Sequence, residues 1–218
     1  MQLCNIAVLH KVVRVENQKL SKRERNREEA YLCIHHTAYR MSVVEKKNPT
    51  VEEIAEVAGV SPRTFFNYYR TKDEAILGIK PPQLSQRQVD LLAQTDRSAL
   101  FEVVVSVLFD VVQASVVDPQ NLKQRFEPFR ERPEHRIFLS RHLSNSESLV
   151  HDAIVGHFEE QSAGKDETVV QSARALTMLA ASVLRFTFIS YPDALYSDGT
   201  ERTRAALAVF KGVMKEMQ

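Results

Sequence analysis

The stretch from Thr50 to Ile76, TVEEIAEVAGVSPRTFFNYYRTKDEAI, leaves this chain the least freedom, because its start and stop signals fix three short helices in close succession. Thr50 and Glu53 have the spacing of a capping box, in which the Thr50 hydroxyl accepts from the Glu53 amide and the Glu53 carboxylate accepts from the Thr50 amide. A helix therefore starts at Val51. Gly59 takes the left-handed conformation that a sharp stop demands, so that helix ends near Ala58. Ser61 offers a second N-cap, with Pro62 at the first helical position, where a missing amide hydrogen costs little. Thr71 and Glu74 repeat the capping-box spacing, and a third helix follows from Lys72 to about Ile79.

Two short helices joined by a Gly-containing turn form the supersecondary unit that proteins use to read DNA. Ile54, Ala55 and Ala58 share one face of the first helix, and the small Ala55 lets the second helix approach. Val60, Phe65 and Tyr69 close a small core. Ser61, Pro62, Arg63, Thr64, Phe66, Asn67 and Tyr68 are left facing outward, a mixture of guanidinium, hydroxyl, amide and aromatic groups suited to phosphates and base edges. Thr50 and Lys72 complete the set of candidate DNA-binding residues.

From Arg27 to Leu77 the chain resembles the DNA-binding domain of TetR-family transcriptional repressors. The resemblance rests on Thr50, Glu53-Ile54-Ala55, Ala58-Gly59-Val60-Ser61, Thr64 and Lys72 at that family's spacing. The family usually has Tyr where this chain has Phe66, His where it has Tyr68, Phe where it has Tyr69, and often Gly where it has Arg63. The operator sequence therefore does not carry over. The resemblance implies a homodimer whose last two helices form a four-helix bundle across a two-fold axis. It also implies a palindromic double-stranded operator, repression by promoter occupancy, and release by a small-molecule effector bound among the helices from Thr95 to Ser190.

The rest of the chain fits an all-α protein. Only 6 of 218 residues are Gly, 44% are hydrophobic and 26% charged, which is rich in helix formers and ample for a sizeable core. The net charge of +1 hides an asymmetry: residues 1–80 carry 14 Lys and Arg against 10 Asp and Glu, and residues 81–218 carry 15 against 18. A basic front half suits a nucleic-acid reader joined to something else. Cys4 and Cys33 lack a paired spacing, so no disulfide framework or thiolate zinc site is indicated, and a reducing cytoplasm is expected. The apolar run from Ile6 to Leu9 is too short for a signal segment, and no stretch approaches a membrane span of roughly 20 apolar residues.

Three divisions follow: residues 1–20 as a flexible N-terminal extension, 21–80 as the helix-turn-helix domain, and 81–218 as a helical ligand-binding and dimerisation domain. The run KLSKRERNR, Lys19 to Arg27, is either the solvated start of a helix or a basic arm for the DNA backbone or minor groove. Ala30, Ile34, Ala38 and Met41 then mark a support helix, with His35 and His36 as packing residues rather than ligands. Lys80-Pro81-Pro82 sets the boundary.

In the second part a helix is expected from Thr95 or Asp96 to about Val117, with an apolar face through Leu100, Val104, Leu108 and Val111. A shorter, interrupted helix is expected between Gln120 and Arg132. A long helix follows from Pro133 to about Gln161, with a bend near Ser144-Asn145-Ser146 and a stop at Ser162-Ala163-Gly164-Lys165. The most hydrophobic helix runs from Asp166 to about Ser190, and the last from Thr200 to Lys215. Arg185 lies within an apolar run and must snorkel, pair or meet an anion; Arg174 is on roughly the same face.

Candidate chemistry is thin. His135 with His142, and Glu147 with His151, have helical spacing but no third ligand. Ser162 and Lys165 match the short SxxK pattern of some serine hydrolases without its companion motifs. No catalytic set, cofactor or metal is expected.

Overall fold

The computed structural model describes residues 21–118, 133–161, 167–191, 193–194 and 199–217. Three of the readings above lie outside those residues: the N-terminal extension, the short helix between Gln120 and Arg132, and the stop at Ser162–Lys165. Every regular element among the described residues is helical. The chain divides into two compact units, Met1–Lys80 and Pro81–Gln218.

The first unit is built on α1 (Lys22–Tyr39), which opens with a capping box of its own. Ser21 Oγ accepts from the Glu24 amide at 3.3 Å, and the Glu24 carboxylate accepts from the Ser21 amide at 2.8 Å. From Ser21 onward the basic run is therefore helix. A π-helical turn, Arg40–Val44, extends α1, and Lys46 at φ 53° turns the chain away. Then come α2 (Val51–Ala58), α3 (Pro62–Tyr68) and α4 (Lys72–Leu77). The last is two residues shorter than the sequence suggests, because Gly78 takes a left-handed conformation at φ 66° and stops it.

Helix α1 packs on α2, α3 and α4, and α2 packs on α3. Ile34, Ala38, Ile54, Ala55, Phe65, Tyr69 and Leu77 are fully buried in this unit. Val60, expected with them, is only half-buried. Two polar side chains fasten the core. The Tyr69 hydroxyl donates to the Tyr31 carbonyl at 3.0 Å. His35 Nδ1 lies 2.7 Å from the Ala75 carbonyl, which can only accept, so the imidazole donates from Nδ1 and ties α1 to α4. His35 is thus a packing residue.

The second unit contains α5 (Gln86–Gln94), α6 (Arg97–Ala114), α7 (Pro133–Gln161), α8 (Glu167–Ser190) and α9 (Gly199–Glu216). Helix α5 does not emerge from the apolar pattern, which offers it only Val89, Leu91 and Leu92. Its start is nevertheless written in Ser85 and Gln88, which form another capping box. Helix α6 ends at Ala114, three residues before the expected Val117. Its many β-branched residues are tolerated because Val104, Val105, Val107, Val111 and Val112 are buried, and packing outweighs a weak helix propensity. Helix α7 is continuous through Ser144–Ser146.

Helix α8 packs on α6, α7 and α9. Within it, Val170–Ser190 is 21 residues long with a mean hydropathy of 1.3, enough for a membrane span by length and composition. That corrects the expectation that no stretch approaches one. The reason is the density of Ala, Leu, Val and Phe, although Arg174, Arg185 and several Ser and Thr interrupt it, and a core helix of a folded unit has the same composition.

Candidate functional site

Helices α2 and α3 are set by local chemistry. Thr50 Oγ1 accepts from the Glu53 amide at 3.2 Å, and the Glu53 carboxylate accepts from the Thr50 amide at 2.8 Å. Gly59 stands at φ 72°, where an L side chain is strained. Ser61 Oγ accepts from the Thr64 amide at 3.0 Å and lies 2.8 Å from Thr64 Oγ1. Thr71 Oγ1 accepts from the Glu74 amide at 3.1 Å. The Glu74 carboxylate, however, takes the Arg70 amide at 2.6 Å instead of closing the box on Thr71.

The nine candidate residues therefore fall into two groups. Thr50 and Ser61 spend their hydroxyls on the caps, and the Thr64 hydroxyl pairs with that of Ser61. Lys72 reaches back to Asn48 Oδ1 at 2.5 Å and ties α4 to the loop before α2. Tyr68, expected to face outward, is half-buried, with its ring edge-on to Tyr31 at 4.9 Å between centroids. Pro62, Arg63, Phe66 and Asn67 are exposed. Phe66 is 53% exposed beside a fully buried Phe65. Arg63, Phe66 and Asn67 stand at positions i, i+3 and i+4, on one face of α3.

Elsewhere in the first unit Arg40 and Lys47 are exposed, whereas Lys80 is half-buried. Arg40 and Lys47 flank Glu45, at 3.9 and 2.7 Å. Lys47 above all holds the Glu45 carboxyl below its usual range. Lys80, at the end of the unit, binds Glu28 at 2.9 Å and lies 5.4 Å from the Tyr31 ring centroid.

In the second unit, Arg185 finds the partner its position demanded, Glu147 Oε1 at 2.5 Å. Burial pushes the Glu147 carboxyl up, and the guanidinium pulls part of that back. Arg174 is exposed. His151 has an enclosed Nδ1 with no hydrogen-bond partner among the described residues. His142 is buried against Ser115, with Nε2 and Oγ 2.7 Å apart. Ser115 Oγ donates its hydrogen to the Val112 carbonyl at 2.6 Å, so the imidazole donates from Nε2. That polarity is the reverse of a nucleophile held by its base. Burial drives the His142 imidazole down to about 4, keeping it neutral. The His135 side chain lies outside the described ones. Among the described residues no three His, Cys, Asp or Glu side chains gather around a metal-sized space.

Fold and site together define an all-helical protein with a capped three-helix face in its first unit. No protein-family model matches the chain, and no curated protein matches it.

Proposed function

We propose that the protein is a sequence-specific DNA-binding transcriptional regulator of the TetR type, acting as a homodimer. The observation that carries this reading is the pair α2 and α3, capped at both starts and closed by Gly59, which leaves Arg63, Phe66 and Asn67 exposed on one face. A guanidinium and an amide are the side chains that pair bidentately with guanine and adenine in the major groove. The basic surplus of residues 1–80 favours approach to phosphate.

A second face supports the homodimer. Helices α8 and α9 keep large apolar side chains in water: Met178 at 59% and Ile189 at 79%, Val209 at 49% and Val213 at 51%. A dimer formed through these faces would carry two copies of α3, and an operator for such a dimer has two half-sites roughly 34 Å apart. Release by a small molecule, and repression as the outcome, come from the resemblance alone. An effector would have to bind the DNA-incompetent state more tightly than the competent one.

The test is binding to the DNA upstream of the protein's own gene, by gel shift at two salt concentrations. Affinity should fall steeply with salt, and Arg63→Ala should cost about 1–3 kcal/mol and relax the sequence preference. An absence of any sequence-preferring binding would sink the proposal. For the effector, a compound that raises the melting temperature should also weaken DNA binding.

A further inference from the structure

We propose that Phe66 reads the C5-methyl group of a thymine, between a purine-reading guanidinium and amide. This rests on the DNA-reading function proposed above and goes on to assign the readout.

Helix α3 carries two adjacent phenylalanines with opposite fates. Phe65 is fully buried, while Phe66 is 53% exposed. The rings meet edge-on, 5.6 Å between centroids and 83° between planes, so the buried ring backs the exposed one. Arg63 lies three residues before Phe66 and Asn67 one residue after it, and all three are exposed. None of them holds the cap: Ser61 does that by accepting from the Thr64 amide, and Tyr68 is turned against Tyr31.

A single exposed aromatic is ordinary on a protein surface, but this one is flanked on its own helical face by two groups with base-pairing geometry. Arg63 to Asn67 spans about 6 Å along the helix axis, close to two base-pair steps. Over that length the major groove offers acceptors to the guanidinium at guanine and a donor–acceptor pair to the amide at adenine. The thymine methyl is the one apolar group exposed there that an aromatic side chain contacts.

The full chain is used to select duplexes from a randomised pool, and the tightest is measured by fluorescence anisotropy. Each thymine is then replaced by uracil, which removes only the methyl. Replacement at one thymine per half-site should weaken binding roughly three- to tenfold. Phe66→Ala should bind less tightly and treat thymine and uracil alike, and Phe66→Leu should keep part of the preference. Both variants should melt with the parent, since the side chain is exposed. The methyl assignment is overturned by a selected half-site without thymine, by no uracil penalty at any position, or by an undiminished penalty in Phe66→Ala. Each of those outcomes leaves DNA reading intact, whereas failure to select any duplex would remove both.

Discussion

At the residue scale, His142 joins burial to a titration that solution measurements reach. Its folded-state value of about 4 lies below the ordinary value of 6.5, so the unfolded chain takes up the proton first. The neutral ring therefore contributes stability that is present above pH 6.5 and lost as pH falls toward 4. Urea unfolding at pH 7 and pH 4.5 should show a loss of about 2–3 kcal/mol that His142→Gln, which keeps a donor for Ser115, does not share. Gly199 is a steric counterpart. A Cβ there would lie 1.9 Å from the Ala194 carbonyl oxygen, which is backbone and cannot give way. Gly199→Ala should destabilise the protein by about 3 kcal/mol in thermal or chemical unfolding, the upper range for overpacking. Neither residue was legible in advance. His142 and Ser115 are 27 residues apart in sequence, and Gly199 looks like any helix-start glycine until Ala194 and Phe109 are folded against it.

At the scale of the element, the caps carry the order of the first unit. Thr50→Ala removes the acceptor of the Glu53 amide and should cost about 1 kcal/mol in melting experiments, while Thr50→Ser should be nearly neutral. Helices α2 and α3 were legible because each cap lies three residues from its partner and Gly59 marks the stop between the two helices. The same local code stood at Ser21–Glu24 and Ser85–Gln88 but was hidden, once by a run of basic residues and once by a helix with few apolar positions. The outward face of α3 was readable from helical spacing for Arg63, Phe66 and Asn67. For Tyr68 and Lys72 the spacing does not show their contacts with Tyr31 and Asn48, which are far away in sequence. The Arg185–Glu147 pair is another such case: the need for a partner showed in the sequence, but its identity did not.

At the scale of the whole molecule, the proposed dimer makes a prediction about mass. Met178→Arg with Val209→Glu places charge on two exposed positions and should leave each chain folded by circular dichroism. Sedimentation equilibrium should then show the dimer replaced by monomer, together with a marked loss of operator affinity. A variant that stays dimeric would move the association face elsewhere. Periodicity alone showed that α8 and α9 are amphipathic, but which apolar residues remain in water depends on how α6 and α7 cover the rest. The first unit has a property of another kind. Ser61, Phe65 and Tyr69 hold α3 in place, while Arg63, Phe66 and Asn67 face away from it, so the two sets can change independently. For the DNA reader proposed above, three substitutions after gene duplication would re-address one copy to a new target with the same scaffold and the same melting temperature.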